Sequence, residues 1–99
     1  MAYWDFVAAR LASNPYIVGF DPLNEPYAAN NIRDPTLNIP GVMDRKHLTP
    51  TFAKVFNTWQ KHDPASIMWF ESAGDIETFD GEGVVFPIGY KAPPGGEIG

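Results

Sequence analysis

The chain has 99 residues, 44% of them apolar, with three Trp, four Tyr and seven Phe, and a formal charge of −5. That length holds at most one domain with a core of its own, and the apolar content is that of a globular protein rather than a disordered one. The acidic balance argues against a nucleic-acid partner, no apolar run approaches the roughly 20 residues that span a bilayer, and the absence of cysteine excludes disulfides and thiolate metal sites.

Residues 3–13 read as a helix. Trp4, Val7 and Leu11 recur at i, i+3 and i+7 to make one apolar stripe, with Phe6 beside it. Asn14-Pro15 ends the helix, because the residue before proline is pushed out of the α region. Residues 16–20, Tyr-Ile-Val-Gly-Phe, follow at once. They are β-branched and aromatic without polar alternation, the pattern of a strand covered on both faces in a parallel sheet. Asp21-Pro22 closes that strand in a turn.

A second unit repeats the order. Thr49 is a good N-cap, Pro50 suits the first helical position, and Phe52, Val55, Phe56 and Trp59 mark one face of a helix that stops before Asp63-Pro64. Residues 67–70, Ile-Met-Trp-Phe, form a second buried strand in which Trp69 is expected to be core, and Glu71 lies just past its end. Helix, strand, long loop, helix and strand make an α/β pattern with parallel strands and a right-handed crossover. Residues 22–48 and 72–99 are long, rich in Pro, Gly, Asn and Asp, and show little periodicity. Two strands apolar on both faces need neighbours that this chain has no residues to supply, so residues 1–99 read as an excerpt of one domain.

The chemistry-bearing positions sit at the strand ends. In α/β barrels the active site forms at the C-terminal ends of the strands and in the loops that follow. Here the first strand runs into Asn24-Glu25-Pro26 and the second ends at Glu71. Asn-Glu-Pro alone is a weak signal and could be a polar turn. It gains meaning from the buried strand before it and the amphipathic helix before that.

The stretch from Tyr16 to Pro26 resembles the fourth strand of glycoside hydrolase family 5 and, more broadly, of its clan of retaining (β/α)8 barrels. Within the family it is most similar to the endoglycoceramidase-related branch. Tyr3-Trp4-Asp5, the Trp-Phe-Glu strand end, Pro87-Ile88-Gly89-Tyr90 and the following Ala-Pro-Pro-Gly-Gly extend the resemblance over nearly the whole chain. The resemblance implies a fragment of a TIM barrel spanning strands 4 and 5, and a hydrolase that cleaves O-glycosyl bonds with retention on a glycan or glycolipid. It implies that Glu25 is the general acid/base and that Asn24 binds the 2-hydroxyl of the sugar at the cleavage point. Such an acid must hold its proton near neutral pH, which takes burial or a nearby negative charge. Retaining enzymes also need a second carboxyl about 5–5.5 Å from the first. Glu71 is the tempting partner, but the family's nucleophile ends the seventh strand and Glu71 ends the fifth. Glu71 is therefore expected to line the substrate pocket or to support the residues that do, with a salt-bridged glutamate at a strand end as the plain alternative, and the isolated chain is expected to be inactive.

The remaining positions carry weaker expectations. Phe86 and Tyr90 are candidates to line a lipid-accepting groove. His47 and His62 are expected at the surface, and the run Asp75, Glu77, Asp80, Glu82 lacks calcium-loop spacing. No metal or cofactor is assigned. Residues 1–10 lack the basic and apolar regions of a signal peptide, whereas the family implies a secreted or extracytoplasmic protein. Three other readings stand beside this one. The same barrel could act on a β-glucan, and a non-catalytic α/β interaction module could contain Asn-Glu-Pro by chance. A flavodoxin-like nucleotide binder is weak, because neither strand is followed by a Gly-rich phosphate loop.

Overall fold

A computed structural model describes residues 1–27, 30–73 and 90–96. The first helix, α1, spans Ala2–Leu11, and a short strand, β1, follows at Gly19–Phe20. A 3-10 turn at Pro35–Asn38 and a π-helical turn at Asp44–Leu48 lead into helix α2, Thr49–Trp59. Strand β2, Ile67–Met68, lies parallel to β1, with Gly19 opposite Ile67 and Phe20 opposite Met68. Among the described residues the parallel α/β order is thus present as a two-stranded sheet.

Both helices bury the stripes that their periodicity defines. On α2, Phe52, Val55, Phe56 and Trp59 are all buried, and Trp4, Val7 and Leu11 of α1 pack with Ala8 against Val55 and Trp59. Phe6 is not part of this stripe: it is exposed, with the Arg10 guanidinium 4.4 Å from its ring centroid. The sheet joins the core through Phe20, which stacks on Trp59 at 4.1 Å between ring centroids and 15° between planes. Trp4 completes the cluster, 5.8 Å from Phe20 and 6.0 Å from Trp59. An offset aromatic stack of this kind adds about 0.5–1.5 kcal/mol beyond the area it buries.

Several local expectations change. Thr49 is not an N-cap, because the chain is already helical at Leu48; its hydroxyl instead donates to the Asp44 carbonyl at 2.8 Å. The first strand shortens to two residues, because Asn14 draws the preceding backbone into a turn. Its side chain accepts from Tyr16 N–H at 3.0 Å, and its carbonyl accepts from Ile17 N–H at 3.1 Å. Residues 22–48 are not featureless: Asp34 accepts from Thr36 N–H to cap the 3-10 turn and also pairs with Lys46. Leu37 and Leu48 are buried.

Burial on both sheet faces is not observed. Phe20 and Met68 face the helices, whereas Ile67 is 55% and Trp69 49% exposed. Trp69 is therefore a face residue and not core, and its ring lies over Gly19. A Cβ at Gly19 would stand 2.0 Å from the Ile67 carbonyl oxygen and 2.4 Å from Cζ3 of Trp69. The acidic run at 75–82 and Phe86 lie outside the described residues.

Two outcomes follow for stability. Gly19→Ala should cost at least about 2 kcal/mol in urea unfolding, since the clash is with backbone that cannot turn aside. At the other end of the core, His62 Nε2 meets Asp5 Oδ1 at 2.8 Å, and this hydrogen bond holds the Asp5 carboxyl below its ordinary 3.8. A depressed carboxyl stabilises the fold above its unfolded pKa and ceases to do so as pH falls through its lower folded value. Acid titration followed by circular dichroism should lose this contribution below about pH 4, and Asp5→Asn should flatten that part of the curve.

Candidate active site

The parallel register brings the two strand exits side by side. Beyond β1, Asp21 Oδ1 accepts from Leu23 N–H at 3.2 Å, so Asp21 forms the turn expected before its proline. Asn24 and Glu25 are exposed and Pro26 is buried. Glu25 has φ 45°, a left-handed conformation in a residue other than glycine. Such a backbone costs on the order of 1–3 kcal/mol and persists where surrounding contacts determine it.

The contact at Glu25 comes from the other strand. Its backbone N–H donates to Oε2 of Glu71 at 2.9 Å, across 46 residues of sequence. Two of the three residues singled out by sequence are therefore joined directly. Asn24 is the chain neighbour of Glu25 and shares its exposure. The Glu25 side chain is also exposed, so its surroundings within the described residues are open to solvent.

Two further residues hold this end of the sheet. The Tyr90 hydroxyl donates to the Glu71 backbone carbonyl at 3.0 Å, and its ring meets Phe70 edge-on at 5.0 Å. Burial, and then the Asp44 charge, push the Tyr90 phenol up, so it keeps its proton and remains a donor. Tyr90, a candidate to line a groove, has its hydroxyl tied to the chain just past β2. Asp44, at 2% exposure, accepts the Ala73 N–H through Oδ1 at 2.7 Å and so ties the exit of β2 to the π-turn before α2. Sequence reasoning missed Asp44. It stands before Arg45 and Lys46, where an acidic residue reads as solvated, and its partner is 29 residues away.

His47 is exposed on the π-turn, and His62 is engaged with Asp5. Among the described residues no three His, Cys, Asp or Glu side chains converge as a metal site, and no helix is long and apolar enough to cross a membrane. A cavity of about 600 Å³ is lined by Phe56, Ile67, Met68, Phe70, Pro93 and Pro94 among others; neither Glu25 nor Glu71 lines it. The cluster at the strand exits thus consists of an exposed carboxyl on a constrained backbone, with a second carboxyl on its amide.

The chain is 30% identical over 95 residues to an endoglycoceramidase of Hydra vulgaris and, at the same identity and length, to an endoglycoceramidase of Cyanea nozakii. Each match covers 96% of this chain but only 17% of the relative, so the chain spans about a sixth of the length of these proteins. It is distantly related to endoglycoceramidases. No family model matches the chain, and no solved structure matches it.

The buried acceptor at Asp44 has a measurable consequence. Asp44→Ala strands the Ala73 N–H and should lower unfolding free energy by about 1.5–3 kcal/mol, whereas Asp44→Asn, which keeps an acceptor oxygen, should cost less than about 1.5 kcal/mol. Equal losses in chemical denaturation would remove the Asp44–Ala73 bond from the account.

Proposed function

We propose that this chain carries the general acid/base of a retaining, family 5-type glycosidase that cuts between the oligosaccharide and the ceramide of a glycolipid. In this reading residues 1–99 form part of one (β/α)8 barrel domain, with β1 and β2 as its fourth and fifth strands. The observation that carries the reading is Asn24-Glu25-Pro26 at the exit of a parallel strand, in a chain matched over 96% of its length by proteins named endoglycoceramidase.

The chemistry assigns each residue a part. Glu25 gives its proton to the glycosidic oxygen as the bond from the anomeric carbon to that oxygen breaks, and the ceramide leaves as an alcohol. The anomeric carbon is held meanwhile by a nucleophilic carboxylate that lies on another strand. Glu25, now ionised, takes a proton from water as the water attacks the anomeric carbon and frees the sugar. Asn24 hydrogen-bonds the 2-hydroxyl, a contact that tightens as the ring flattens in the transition state. A proton donor at neutral pH needs a site that disfavours its anion. Glu25 is exposed in the structure, so the covering surface and the second charge come, in this reading, from the rest of the barrel.

The test is to exchange this chain for the aligned segment of the Hydra relative and follow turnover of a glycosylceramide. Glu25→Gln should lower kcat about 10²- to 10⁴-fold on glycosylceramide. It should slow a glycoside with an activated aryl leaving group much less in the first step, and azide should restore turnover of that substrate as the glycosyl azide. Undiminished hydrolysis of glycosylceramide by Glu25→Gln would overturn the acid/base role. Turnover of a soluble β-glucan with none of glycosylceramide would overturn the substrate.

A further inference from the structure

We propose that Glu71 is a positioning residue for Glu25: its carboxylate accepts the Glu25 backbone N–H and holds Glu25 in the left-handed conformation that sets the direction of its side chain. The inference rests on the acid/base reading of Glu25 and gives Glu71 a part distinct from substrate binding and from nucleophilic attack.

Geometry carries the argument. Glu25 has φ 45° and precedes Pro26, so two local preferences oppose the backbone it adopts. The bond that meets its N–H comes from the segment after β2, 46 residues along the chain. The acceptor is itself fixed. The Glu71 carbonyl receives the Tyr90 hydroxyl at 3.0 Å, and two residues later the Ala73 N–H is bound by buried Asp44 at 2.7 Å. A carboxylate on a backbone tied at both points can act as a template. One of its oxygens is already engaged with a donor, which suits it to orienting a neighbour. Because an amide oxygen can accept the same N–H, geometry and not charge is the property required.

Nuclear magnetic resonance on the isotopically labelled chain of residues 1–99 separates the possibilities. The parent should show a scalar coupling across the hydrogen bond from Glu25 nitrogen to the Glu71 side-chain carboxyl carbon, and a Glu25 amide-to-Hα coupling that fits positive φ. Glu71→Gln should keep both. Glu71→Ala should lose the first, move φ of Glu25 out of the left-handed region and speed Glu25 amide exchange about tenfold, while the amides of Ile67 and Trp69 stay protected. If Glu71→Ala fails to fold, Glu71→Leu keeps the bulk without the acceptor, and the coupling in the parent already decides whether the bond exists. A parent without that coupling, or a Glu71→Ala chain with Glu25 unmoved, overturns the proposal. Glu25→Gln leaves the backbone bond in place. Loss of the acid/base reading through unchanged turnover is therefore told apart from loss of the positioning role through an unchanged conformation.

Discussion

The close approach of two strands at Gly19 sets the geometry of the strand exits that carry Glu25 and Glu71. With no side chain there, β1 comes near enough to β2 for Trp69 to fold its ring over Gly19 and for Ile67 N–H to reach the Val18 carbonyl at 3.1 Å. The next bond, Trp69 N–H to the Phe20 carbonyl at 2.9 Å, fixes the register of both exits. Parallel strands in that register leave in the same direction. Residues five beyond Phe20 and three beyond Met68 then meet as Glu25 and Glu71.

The helices supply what so short a sheet cannot. Two pairs of residues form no stable ladder alone. The sheet is held because Phe20 is stacked on Trp59, and Trp59 is fixed by a helix whose whole inner face is buried. The same helix begins from a π-turn that presents Asp44 to the chain leaving β2. One side of α2 therefore anchors the sheet, and its entry turn anchors the segment around Glu71. Burial energy in the core is converted in this way into positional order at residues that are themselves exposed.

The helical stripes were legible because their periodicity depends only on local geometry. Phe52, Val55, Phe56 and Trp59 could have faced only one way. The exit of the first strand was legible for a similar reason, since its apolar run stops where Asp21-Pro22 begins, whereas the second strand ends at Met68, two residues before its apolar run does. Facts with non-local causes could not be read. Thr49 looked like a cap because nothing in 44–48 announces a π-turn, and nothing singled out Asp44, because its partner lies 29 residues on. Trp69 looked like core, but its own strand sets it over Gly19 on a face that leaves it 49% exposed among the described residues. The bond from Glu71 to the Glu25 backbone was hidden for the same reason: spacing suggested two carboxyls near each other, not one carboxylate seated on the other residue's amide.

A chain distantly related to endoglycoceramidases thus places an Asn-Glu-Pro turn and a second glutamate at a common edge, and that arrangement depends on strand register. The most direct measurement is the set of inter-strand nuclear Overhauser contacts in solution. Cross-peaks linking Gly19 with Ile67 and Phe20 with Met68, together with Gly19 Hα to the Trp69 ring, are predicted. An antiparallel pattern, or a Trp69 ring far from Gly19, would contradict the account at its base.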